Sequence, residues 1–142
     1  MAYIPALGID LGTTFSAVAV VPESGIPEIL PNSSGERLTP SAVFFDEGSV
    51  VVGQVARDAY SDNPDDTVLF IKRQIGTSHW FFEHQGHRYS PVDVSAFILR
   101  KLRDDAAASL GQEVNQAVIT VPAYFDDDRR RLTRLAGEIA GL

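Results

Sequence analysis

The sequence predicts an α/β fold, on three observations. Short strand-like runs open the chain and return on themselves through turns. A continuous apolar run, Ala117 to Val121, lies late in the chain between two segments of helical period. Both of those segments carry apolar stripes at 3.6-residue spacing and recognisable start and stop signals.

Leu7 to Asp10 and Ser16 to Val21 read as strands joined by a tight Gly-Thr-Thr turn, and Glu28 to Leu30 follows the Ser24-Gly25 turn as a third. Connections this short predict an antiparallel meander. A polar stretch, Asn32 to Arg37, leads to Ala42–Phe45 and Val50–Val52, which flank Asp46-Glu47-Gly48 as a hairpin. Gln54 to Tyr60 predicts a short helix. Asp65-Asp66-Thr67 supplies start signals for a further helix through Val68, Ile71 and Ile75, closed by Gly76. Between Trp80 and Tyr89 the chain is rich in aromatic residues and His, with Gln85-Gly86 as a turn between short strands.

Ser90-Pro91-Val92-Asp93 combines a cap, a proline at the first helical position and an acid in the first turn. Val94, Phe97, Ile98, Leu102 and Leu110 then form one stripe, and Gly111 stops the helix. Ala117 to Val121 predicts a strand of the fully buried type, ended by Pro122. Asp126-Asp127-Asp128 opens a last helix, where acids complement the positive end of the dipole. Its apolar face is Leu132, Leu135, Ala136, Ile139 and Ala140, with Gly141 after it. A strand followed by such a helix is most of a strand-helix-strand unit. The chain stops at Leu142 without the returning strand, so the expectation is a cut and not a natural boundary.

Bulk properties narrow the function. At 142 residues the chain suits one domain with a real core. It carries 12 Lys and Arg against 19 Asp and Glu, a net charge of -7 that argues against a nucleic-acid or membrane-surface role. No apolar window reaches membrane-spanning length. Met1-Ala2-Tyr3-Ile4-Pro5 runs almost at once into the first strand, without the regions of a signal peptide. Cysteine is absent, which removes disulfides, thiol nucleophiles and thiolate metal sites. A soluble, cytoplasmic protein is the expectation.

The densest motif is Gly8-Ile9-Asp10-Leu11-Gly12-Thr13-Thr14. Gly12 removes the Cβ that would block close approach of the backbone. Turn N–H groups, with the Thr13 and Thr14 hydroxyls, make a donor cradle for an anion. Asp10, at the strand end, is placed to hold the waters of a Mg²⁺ that neutralises phosphates. The same residues also suit an ordinary Gly-Thr hairpin, and both readings stand on this motif alone.

With four further motifs, the chain resembles a known family. The motifs are Leu38-Thr39-Pro40-Ser41, Lys72-Arg73-Gln74-Ile75-Gly76, Ile119-Thr120-Val121-Pro122-Ala123-Tyr124-Phe125, and Ala136 to Leu142. Together with the first, in this order, they resemble the seventy-kilodalton heat-shock chaperones. The resemblance runs from about Leu7 to Leu142. It implies the actin-like ATPase (ribonuclease-H-like) fold, first lobe only: a mixed sheet with helices and a small inserted α+β subdomain. Residues 1–37 and 90–142 would form the lobe's core, incomplete at its C-terminal side, and 38–89 the insertion. The segment from Gly76 to Tyr89 is shorter than usual for the family, and Phe15 stands where Asn or Tyr is more common. With Thr133-Arg134-Leu135, this places the chain among DnaK-like proteins nearest the divergent HscC-type branch. The short segment also borders the cleft that nucleotide-exchange factors open, which puts those partners in question.

The resemblance assigns roles. Gly12, Thr13 and Thr14 would cradle phosphates of ATP or ADP. Asp10 would hold hydrated Mg²⁺ and a monovalent cation, K⁺. Lys72 would be the catalytic lysine reaching the γ-phosphate and attacking water; read without its motif, it is a solvated helix lysine. Phosphoryl transfer to water relies on such positioning and charge neutralisation. Pro122 and Arg130 would couple nucleotide state to a substrate-binding domain, where the bland account is a strand-ending proline. Arg129, Arg130, Arg131 and Arg134 would form a basic patch for a J-domain co-chaperone, or simply a solvated face balanced by the three preceding aspartates. The implied activity is ATP hydrolysis coupled to binding and release of unfolded polypeptides, held by a C-terminal domain not in this chain. This piece alone is expected to be inactive. The rival readings are a sugar or acetate kinase of the same superfamily and a naturally truncated interaction module. His79, His84 and His87 lack the ligand set of a zinc site. Trp80, Phe81 and Phe82 suit the insertion's core, and Asp62, Asp65 and Asp66 lack calcium-loop spacing.

Overall fold

The computed structural model describes residues 5–142, so the expectation for the run Met1 to Ile4 lies outside the described residues. Leu7–Asp10 forms β1, with Leu7 and Ile9 buried and Gly8 and Asp10 facing out. Phe15–Val20 (β2) and Glu28–Ile29 (β3) complete the expected antiparallel meander. Thr39–Pro40 (β4), not foreseen as a strand, changes its entrance: Phe15 and Ser16 pair with Pro40 and Thr39, while Ala17 to Val20 pair with β1. The two strands therefore splay apart after Asp10. The Gly12-Thr13-Thr14 connection is a wide loop, where a tight hairpin turn was expected.

Ala42–Asp46 (β5) and Ser49–Val52 (β6) form the anticipated hairpin, followed by helix Gln54–Ala59 (α1). The predicted helix over Asp65 to Gly76 is not there. Pro64–Asp66 and Ile71–Gln74 are single 3-10 turns, and between them Thr67–Leu69 (β7) pairs with β5. Val68, Ile71 and Ile75 are buried as their apolar character requires, so the inside positions were right and the element type was wrong. Spacing this short fits helix and strand alike, and the ladder offered by β5 decides for the strand.

Phe82–His84 (β8) and His87–Tyr89 (β9) pair around the Gln85-Gly86 turn. Ser90 then caps Pro91–Leu110 (α2): its hydroxyl accepts from Asp93 N–H at 3.1 Å, and Asp93 accepts from Ser90 N–H at 2.8 Å. Gly111, left-handed at φ 69°, stops the helix. Val94, Ile98, Leu99, Leu102 and Ala106 are fully enclosed, and α2 packs on β2, β5, β6 and the Ile71–Gln74 turn. An aromatic cluster closes this core: Phe45 lies 4.7 Å from both Phe82 and Tyr89, and edge-on to Phe97 at 5.8 Å. Trp80 and Phe82 pack against the core, whereas Phe81 is exposed beneath Arg88.

Ala117–Thr120 (β10) pairs with β1 in parallel, Leu7 opposite Ala117 and Asp10 opposite Thr120. The sheet is thus mixed, ordered β10-β1-β2-β3 with β4 attached to β2. Asp127–Ile139 (α3) follows, with Asp126 as its cap, and packs against α2. The prediction of a fully buried last strand is corrected. Val118 is 68% exposed and Thr120 also faces out, while Ala117 and Ile119 turn towards α3. One covered face and an edge position explain the alternation. On α3, Ala136 and Ala140 are buried, but Leu135 and Ile139 stay exposed.

Candidate functional site

The carboxyl ends of the parallel strands β1 and β10 lie side by side, the position where open α/β sheets bind ligands. Asp10 ends β1, exposed, and its carboxylate accepts from the Thr120 hydroxyl at 3.3 Å. The other carboxylate oxygen has no partner among the described residues. Past Asp10, the loop closes on itself through a chain of hydroxyls. Gly12 N–H donates to Ser16 Oγ at 3.2 Å, and Ser16 Oγ lies 2.8 Å from Ser41 Oγ. Ser41 N–H donates to the Thr14 carbonyl at 2.8 Å. The Gly12 amide is therefore spent on the loop and is not one of the free donors foreseen for the cradle. The amides and hydroxyls of Thr13 and Thr14 keep no partner among the described residues.

Why glycine stands at position 12 is a matter of space. A Cβ there would sit 1.9 Å from the Phe15 carbonyl oxygen, inside the loop's own backbone. Thr13 and Thr14 line a small cavity of about 80 Å³ together with Pro40, Ser41, Arg57 and Phe70. Arg57, on α1, also stacks over Phe15 at 5.2 Å. This arginine beside the threonines escaped sequence reasoning, because an exposed arginine on a short helix carries no local signal.

Lys72 occupies the 3-10 turn Ile71–Gln74, not the helix predicted for it. The turn begins at Phe70, whose φ of 59° and ψ of 34° lie in the left-handed region. For a bulky residue that conformation costs about 1–2 kcal/mol, and strain of this kind collects at functional positions. Phe70 and Leu69 share the cavity of Thr13 and Thr14, so the loop and the Lys72 turn flank one space. Buried Ile71 and Ile75 anchor the turn from below. The half-buried Lys72 has no carboxylate partner among the described residues.

Pro122 follows β10, and its carbonyl accepts from Phe125 N–H at 3.0 Å, turning the chain into α3. Arg130 lines a trough of about 450 Å³ between β10 and α3, next to Val121. The predicted basic patch is largely self-neutralised. Arg129, Arg130 and Arg131 each pair with the aspartate three residues earlier, Asp126, Asp127 and Asp128. Arg129 also reaches out of the helix to the Ile75 carbonyl at 3.2 Å. Only Arg134 of the four is without such a partner among the described residues.

Of the remaining histidines and acids, His84 and Asp66 meet in the structure. His84 Nδ1 lies 3.2 Å from Asp66 and its ring stacks on Phe45. Among the described residues, no group of three His, Asp or Glu side chains converges as a metal cage. No helix among the described residues is long and apolar enough to cross a membrane. The family model described as Hsp70 protein matches residues 6–142.

Proposed function

The chain belongs to the Hsp70 family, and from that premise we propose that it forms the N-terminal part of the ATP-binding domain of a DnaK-like chaperone. Full-length members of the family are ATPases. In this reading residues 38–89 are the smaller subdomain of the first lobe, and the shortened stretch after Gly76 favours the HscC-type branch. The observation that carries the reading is the loop after Asp10. Its Gly12 has no room for a side chain, and its threonines share one cavity with the residues that lead into Lys72.

The residues fit a nucleotide with its metal. A lone exposed carboxylate suits a Mg²⁺ that keeps most of its waters, unlike an all-protein cage. When bound, Mg²⁺ neutralises phosphate charge; K⁺ is the proposed monovalent companion. Thr13 and Thr14 offer their unpaired amides and hydroxyls to the phosphates. Asp10, steadied by Thr120, would hold the Mg²⁺ through its waters. The Lys72 ammonium, free of a carboxylate partner, is available to the γ-phosphate and to the attacking water. Pro122 begins the connection into α3 and Arg130 stands early in α3 itself, a location that supports the coupling role proposed for them. Unfolded polypeptides, a J-domain co-chaperone and a nucleotide-exchange factor are the partners that this reading brings.

The test is ATP turnover by the full-length protein with and without Lys72→Ala. Loss of one preorganised charge should lower kcat about 10²–10³-fold while ATP still binds. Phosphate must appear without a small-molecule acceptor, otherwise the sugar or acetate kinase reading takes over. A Lys72→Ala protein that hydrolyses ATP at the wild-type rate would remove the catalytic assignment.

A further inference from the structure

Buried Ile71 and Ile75 anchor the Lys72 turn from below. It is one 3-10 turn, entered through left-handed Phe70 and left through left-handed Gly76. At its ends Arg73 N–H donates to the Phe70 carbonyl at 3.1 Å, Ile75 N–H to the Lys72 carbonyl at 3.4 Å and Thr77 N–H to the Gln74 carbonyl at 2.9 Å. The exit is gripped from another element. Arg129, in the first turns of α3, donates from Nε to the Ile75 carbonyl at 3.2 Å. Its stem lies flat on Gly76, where a Cβ would meet Arg129 Cγ at 3.0 Å and Nε at 3.1 Å. The far side of the guanidinium is held by Asp126 at 3.5 Å and rests over the buried Phe125 ring at 6.0 Å. Arg130 and Arg131 differ, since their hydrogen bonds stay within α3.

We infer that Arg129 is a positioning residue that fixes the Lys72 turn against the N-terminus of α3. This rests on the proposed catalytic role of Lys72. A charged donor on a carbonyl is stronger than a neutral one, and here it fixes the carbonyl at the exit of the turn. Gly76 completes the arrangement, because its missing Cβ lets the arginine stem reach the carbonyl. The linkage joins residues 54 positions apart, so it ties the turn to a separate part of the fold.

Two readouts on the full-length protein separate this role from that of Lys72. The first is amide exchange at Ile75 and Thr77, whose N–H groups bond to the Lys72 and Gln74 carbonyls. Arg129→Ala should speed exchange there about five- to tenfold and leave α2 unchanged. Arg129→Lys, whose amine can reach the same carbonyl, should restore most of the protection. The second readout is kinetic. Arg129→Ala should lower kcat about tenfold with KM for ATP within about twofold. In the Lys72→Ala background it should lower kcat no further. Unchanged exchange at Ile75 and Thr77, or a full additional loss of kcat beside Lys72→Ala, overturns the inference. If Lys72→Ala alone leaves turnover intact, the catalytic reading of Lys72 fails, and the exchange data still decide whether Arg129 braces the turn.

Discussion

Replacing Gly12 by alanine is the sharpest test of the loop after β1. The new Cβ would lie 1.9 Å from the Phe15 carbonyl oxygen and 3.1 Å from its carbonyl carbon. Both are backbone atoms, so no side chain can swing away to make room. Phe15 is itself fixed, by pairing with Pro40 and by Arg57 over its ring. The loop must open by more than an ångström, an overpacking that costs about 1–3 kcal/mol. Opening also breaks the Gly12 N–H bond to Ser16 Oγ, worth about 0.5–1.5 kcal/mol. The sum is about 2–4 kcal/mol, a large share of the roughly 5–15 kcal/mol that holds a domain together. Urea unfolding of the chain reads it directly. With a slope of about 2 kcal/mol per molar, the midpoint should fall by about 1–2 M. Gly8→Ala is the control, because a Cβ there meets only the Ala19 carbonyl at an ordinary 3.8 Å. It should stay within about 0.5 kcal/mol of the parent. Equal stability of the two variants would refute the steric account of Gly12.

Two further outcomes test the scaffold that carries the site. Ser90→Ala removes half of the capping box of α2 and should cost about 1 kcal/mol in the same urea experiment; an unchanged midpoint would mean the box contributes nothing. Phe45→Ala empties the centre of the aromatic cluster and should cost about 3–5 kcal/mol. A loss below about 1 kcal/mol would show that the cluster collapses to fill the gap.

Sequence reading succeeded where the signal is local. The caps of α2 and α3, the β5–β6 hairpin and the turn at Gln85-Gly86 all depend on residues a few positions apart. It failed over Asp65 to Gly76, where helical start signals were present but the chain pairs with β5 instead. It also took Ala117 to Val121 for a strand covered on both faces, since apolar composition does not reveal that a strand is an edge. The candidate site divides the same way. Asp10, Gly12, Thr13, Thr14 and Lys72 were singled out by their motifs, whereas Arg57 and Arg129 stand in no motif.

By itself, then, the sequence determined the α/β class, the meander and the long capped helix α2. These follow from backbone preferences and from bonds between near neighbours. Tertiary structure alone decided that β2 leaves β1 for β4 at Ser16, that Ser41 completes the bonds of the Gly12 loop, and that Arg129 grips Ile75. Each of those contacts joins residues more than 20 positions apart. Their partners are chosen by how the sheets and helices pack, and no local pattern records that choice.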